Sequence, residues 1–87
     1  MSTNELYAPI NCDDYDTLEL ACQKRWRLAL ILKNGEQWEV QPLELFSRKN
    51  IEYLTVQVGS EQRDLRLDHI HSFSHPELGN VVISTSE

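Results

Sequence analysis

Basic side chains are scarce in this sequence: eight Lys and Arg stand against 14 Asp and Glu, a formal charge of −6 over 87 residues. A surface that holds nucleic acid needs clustered cations for the phosphates, so direct nucleic-acid binding is not expected. A basic protein surface is the better-matched partner. Long apolar runs are missing too. The longest, Leu28 to Leu32, has five residues, whereas a membrane span needs about 20, so no membrane is expected either. Glycine is limited to three isolated residues, which rules out a glycine-rich phosphate loop. No serine sits in a nucleophile elbow, and no His-Glu-x-x-His occurs. Carboxylates are plentiful, but the clustered ones sit on one short helix turn and not in a cleft that would raise one pKa, so paired acid–base catalysis has no footing. The sequence therefore points away from an enzyme. Only two cysteines are present, Cys12 and Cys22, with no CxxC spacing. They read as free thiols, Cys22 as a small buried hydrophobe. The first residues, Met1-Ser2-Thr3-Asn4-Glu5, lack the basic and apolar regions of a secretory leader, which predicts a cytoplasmic protein.

What is present is unevenly placed. Residues 1–22 hold Glu5, Asp13, Asp14, Asp16 and Glu19 and no cation, a charge of −5. Residues 23–87 hold the other nine acids and all eight bases, a charge of −1. The acidic portion coincides with a helix predicted over residues 11–23. Asn11 or Asp13 can cap it, Asp13, Asp14 and Asp16 suit the positive end of the helix dipole, and Leu18, Ala21 and Cys22 form a narrow apolar stripe. A helix this short must dock to persist.

From Trp26 the pattern is that of strands. Asn34-Gly35 between Trp26–Lys33 and Glu36–Gln41 predicts a two-residue type I′ hairpin, with Lys33 opposite Glu36 and Ile31 opposite Trp38. Pro42 is expected to interrupt the ladder, leaving Leu43–Phe46 as a short helical turn or a kinked strand. Ile51–Val58, the alternating run through Leu65 and Leu67, and Val81–Ser84 supply further strands, with turns at Gly59-Ser60 and around Pro76 and Gly79. One helix followed by five or six short strands predicts a mainly β fold, a small antiparallel barrel or sandwich. The whole of 1–87 is read as one domain: a flexible lead over 1–10, the acidic helix, and the β-barrel over 25–84. A barrel is attractive because closure removes exposed edges.

Three features carry candidate chemistry. His69 and His71 would share a strand face, with His75 four residues on; Cys12, Cys22 or Asp68 would have to complete a zinc site, and no second ligand pair is close in sequence, so no metal and no cofactor are expected. Ser47-Arg48-Lys49-Asn50 is a compact polar, basic loop of the kind that either turns the chain or binds at a loop tip. Tyr15, ringed by Asp13, Asp14 and Asp16, either anchors the helix inward or stands at the centre of an interface.

Several strings occur in order: Ile10-Asn11-Cys12-Asp13-Asp14-Tyr15-Asp16, Leu18-Glu19-Leu20-Ala21-Cys22, Ser47-Arg48-Lys49-Asn50-Ile51-Glu52-Tyr53-Leu54, Leu65-Arg66-Leu67-Asp68 and Ser72-Phe73-Ser74-His75-Pro76-Glu77. Together they resemble the Rho-binding antiterminator (Rof) family of bacterial Rho inhibitors along nearly the whole chain. The resemblance implies an Sm-like barrel preceded by a helix. It also implies a non-enzymatic protein that binds the primary RNA-binding site in the amino-terminal domain of hexameric Rho and so suppresses termination. The residues expected to meet Rho are Asp13, Asp14, Tyr15, Asp16 and Glu19 on the helix, which would offer carboxylates where RNA offers phosphates, and Ser47, Arg48, Lys49 and Asn50 on the loop. The free protein is expected to be a monomer. The rival reading is an Sm-like domain that itself binds RNA through Arg48, Lys49 and the Lys24–Arg27 cluster, which a net charge of −6 opposes.

Overall fold

The expected helix forms as α1, Cys12–Lys24, in the computed structural model, which describes residues 9–83. Asn11 is the cap: its side-chain oxygen accepts the Asp13 N–H at 2.7 Å. Leu18 and Ala21 are fully buried, with Tyr15 and Cys22 packed beside them, so the apolar stripe is the face laid against the sheet. The helix ends at Arg25, which takes the left-handed conformation at φ 58°. Its N–H reaches the Ala21 and Cys22 carbonyls, and the Trp26 N–H donates to Ala21 O at 3.1 Å. That is a Schellman ending with an arginine where glycine is usual.

Six strands follow: β1 Leu28–Leu32, β2 Gln37–Arg48, β3 Ile51–Val58, β4 Glu61–Arg66, β5 Ile70–His75 and β6 Gly79–Val82. All pair antiparallel in one sheet of order β4-β3-β2-β1-β5-β6. The fold is thus mainly β with one helix. The closed barrel or sandwich is not what forms: β4 and β6 are the two edges of an open sheet. A three-residue helical turn, Leu67–His69, links β4 to β5 and buries Leu67 and Asp68. Side-chain packing of this turn and of α1, instead of a closing ladder, covers the core of Leu28, Leu30, Val40, Leu54, Val56, Ile70 and Phe73. Of the expected lead, residues 1–8 lie outside the described residues, as does Ser84 of the last expected strand; Ile10 belongs to the core.

Two turns differ from expectation in kind. Leu30 stands opposite Trp38 and Ile31 opposite Gln37, one residue off the predicted register. The connection has three residues: Gly35 N–H donates to Leu32 O at 2.8 Å, Leu32 N–H donates to Glu36 O at 2.8 Å, and of Asn34 and Gly35 only the glycine has positive φ, at 95°. This is a type I turn closed by a glycine bulge, to which Asn-Gly is equally suited. The slip decides which faces meet, because it puts Trp38 on the core side with Leu28 and Leu30. The two-residue type I′ turn lies instead between β2 and β3. Arg48 pairs with Ile51, leaving Lys49 at φ 53° and Asn50 at φ 67°.

Pro42 does not end a strand. β2 runs on for 12 residues, pairing with β1 through Val40 and with β3 from Gln41, and the kink is a bulge between Pro42 and Glu44. Proline, lacking an N–H, suits a bulge. The bend lets one strand serve both halves of the sheet.

Candidate functional site

The end of the β2–β3 hairpin, two residues beyond the last β3–β4 pair at Tyr53 and Arg66, is a fin whose sides differ because side chains alternate along a strand. Ser47 and its cross-strand partner Glu52 point to one side; Phe46, Arg48 and Tyr53 point to the other. On the Ser47 side lies the start of α1. A hollow of about 260 Å³ is lined by Pro9, Ser47, Asn50 and Glu52. A neighbouring one of about 250 Å³ is lined by Pro9, Ile10, Cys12, Tyr15, Asp16 and Glu52. Pro9 and Glu52 border both, so the acidic helix start and the hairpin tip share one face of the molecule.

The structure therefore brings together Tyr15, Asp16, Ser47 and Asn50. Tyr15 does both things its sequence context allowed: it packs against the core and lines the hollow. Burial, then the nearby carboxylates of Glu52 and Glu19, push its hydroxyl above the ordinary 10.0. It stays a neutral hydrogen-bonding group at physiological pH. Asp13 and Asp14 occupy the first helical turn outside the lining, and Asp13 O accepts the Thr17 hydroxyl at 2.9 Å. Glu19 lies one turn along, close enough to bear on both Tyr15 and Cys22. Lys49 stands exposed at the hairpin tip. Arg48 is directed to the opposite side, over the Phe46 and Tyr53 rings.

Glu52 is the residue that sequence reasoning missed. It reads as an ordinary strand carboxylate until the type I′ turn at Lys49-Asn50 is known, which sets it opposite Ser47. Of the other candidate residues, His69 borders a separate hollow of about 480 Å³ beside Lys33, and Arg48 borders one of about 420 Å³.

The histidines do not converge. His75 stacks on Trp26 with centroids 4.4 Å apart, and its Nδ1 accepts the Glu77 N–H at 3.0 Å. Among the described residues no group of three His, Cys, Asp or Glu side chains is arranged to hold a metal ion. Both cysteines are free thiols; burial, reinforced by Glu19 and Glu44, pushes Cys22 up to about 11. No helix among the described residues is long and apolar enough to cross a membrane.

Comparison with known proteins agrees over the same span. The family described as modulator of Rho-dependent transcription termination (ROF) matches residues 9–83. Protein rof of Escherichia coli (strain K12) and protein rof of Shigella flexneri are each 59% identical over 83 residues, covering 95% of this chain and 99% of theirs. Among solved structures, YaeO bound to magnesium from Vibrio cholerae O395 aligns with a TM-score of 0.68 at 22% identity, over 78% of this chain and 95% of that one. At that identity the likeness speaks for the fold alone.

Proposed function

The chain belongs to the family of modulators of Rho-dependent transcription termination, and from that premise we propose that it inhibits termination by covering the primary RNA-binding site in the amino-terminal domain of Rho. It is a regulator and not an enzyme, and Rho is its partner. In our reading Asp13, Asp14, Asp16 and Glu19 meet Rho cations that otherwise hold RNA phosphates, Tyr15 lies among them, and Ser47, Lys49 and Asn50 add contacts from the hairpin. The observation that carries this is the shared border of the two hollows, since it lets a single partner surface touch the helix start and the fin together. Carboxylates that mimic phosphates chiefly raise the on-rate and the salt sensitivity, while a desolvated pair adds affinity.

We further take the open six-stranded sheet as a variant of the Sm-like topology, on the strength of the bulge in β2 at Pro42 and the short helical link before β5. As a regulator of transcription the protein would act in the cytoplasm, as a monomer before it meets Rho. The test is competition between this protein and labelled single-stranded RNA for the Rho hexamer, across a salt series. RNA displacement that weakens as salt rises, and is lost in Asp14→Lys and Lys49→Glu variants of unchanged fold, is expected. Undiminished displacement by both variants refutes the assigned residues. Binding of the RNA by this protein alone would favour the rival reading.

A further inference from the structure

Arg48 is anomalous for an exposed arginine in an acidic protein. It makes no ion pair among the described residues, although the hollow it borders also contains Glu44 and Asp64. The nearest acid on its own strand face, Glu44, is four residues away along β2, a span of about 13 Å with Phe46 between them. Asp64 already accepts the Thr55 hydroxyl at 2.9 Å. What Arg48 has instead is an aromatic seat. Phe46 and Tyr53 are cross-strand partners stacked at 5.1 Å with 14° between their planes, and the Arg48 guanidinium carbon stands 5.4 Å from one ring centroid and 5.9 Å from the other. A guanidinium drawn against two ring faces loses much of its rotamer freedom before any partner arrives, while its N–H edge stays available for a planar anion.

We infer that Phe46 and Tyr53 are positioning residues that preset Arg48 as a receptor for a carboxylate of the protein partner, on the side of the hairpin away from the acidic hollow. This rests on the reading that the hairpin meets Rho, and deepens it: the partner surface must be of mixed sign, cationic against Tyr15, Asp16 and Glu52 and carboxylate-bearing against Arg48. A uniformly basic RNA-binding floor would satisfy one side of the fin only. Carboxylate is favoured over phosphate because Glu44 and Asp64 border the same hollow, and they repel a polyanionic strand far more than one carboxylate.

Three measurements separate the parts. In the free protein, NMR should show the Arg48 side-chain protons shifted upfield by the two ring currents, and the shift should fall in Phe46→Leu, which keeps the bulk but removes one ring. Affinity for intact Rho should then drop about two- to fivefold in Phe46→Leu, the range of an exposed cation–π contact, and return in Phe46→Tyr. Arg48→Ala should drop it by about tenfold or more. Thermal melts establish that each variant is folded. Absence of the upfield shift in the wild-type protein overturns the preset seat. A normal shift together with undiminished Rho affinity in Arg48→Ala overturns the contact with Rho on this side of the hairpin. Loss in Phe46→Leu that Phe46→Tyr does not restore assigns the effect to packing, and also overturns the inference.

Discussion

Replacing Arg25 by glycine should leave the protein about as stable as it is now, an unusual outcome for removing a charged side chain at a helix end. Arg25 sits at φ 58° and ψ 37°, with its N–H tied to the Ala21 and Cys22 carbonyls and its own carbonyl accepting Gln41 Nε2 at 3.4 Å. All of these are backbone interactions at position 25, so they survive the substitution. An L-residue in this region carries about 1–2 kcal/mol of steric cost that glycine lacks. Against that, glycine gives the unfolded chain more freedom, roughly 0.4–1 kcal/mol, and the lost cation near the helix C-terminus removes about 0.3–1 kcal/mol. An Arg25→Ala variant loses the same charge but keeps the strain, so the comparison of Gly with Ala isolates the backbone term. Glycine should be more stable than alanine by about 0.5–1 kcal/mol, or about 2–8 °C in Tm for a domain of this size. Calorimetric melts of the three proteins at one pH and salt provide the measurement. An alanine variant equal to or more stable than the glycine one would refute the account of this turn as strained.

Other expectations follow from single groups. Asn11→Ala removes the side-chain cap from the Asp13 N–H and should cost about 1 kcal/mol, with Asn11→Asp near wild type in the same melts. Cys22 binds its proton more tightly folded than unfolded, at about 11 against an ordinary 9.0, so its contribution is present below pH 9 and is lost as pH rises towards 11. Tm should therefore decline over that window, and Cys22→Ala should flatten the decline; an unchanged slope would exclude the thiol as its source. Arg66 and Asp68 form a bidentate pair at 3.0 and 2.8 Å with side chains only 15% and 10% exposed. Asp68→Ala leaves the guanidinium poorly compensated and should cost about 3–5 kcal/mol in urea unfolding, enough to threaten folding altogether.

The helix was legible because its signals are local. Asn11, the acidic first turn and the stripe of Leu18, Ala21 and Cys22 lie within 13 residues and agree with one another. The hairpin at Asn34-Gly35 was legible as a reversal but not in register, since the same dipeptide closes both two- and three-residue loops. The type I′ turn at Lys49-Asn50 was hidden because lysine has no preference for left-handed backbone; Glu52 and the two-sided fin were hidden with it. Pro42 reads as a stop until tertiary pairing reveals a strand that exchanges one neighbour for another at a bulge. The acidic helix and the polar loop were each visible as candidates. Their convergence on Pro9 and Glu52 depends on α1 docking against β2, a contact without a local sequence signature.

The strand order also shapes how the chain reaches its structure. Of the five pairings between the described strands, four, β1–β2, β2–β3, β3–β4 and β5–β6, join consecutive strands through short turns, and β1–β5 is remote. Closing that loop, which brings Leu30 to Phe73, costs on the order of 3 kcal/mol in chain entropy, whereas the hairpins close over a few residues each. Folding should then proceed by quick formation of a β1–β4 meander and a β5–β6 hairpin, with their docking along β1 as the slow event. Phe73, fully buried at that seam, is where the two pieces become one cooperative unit.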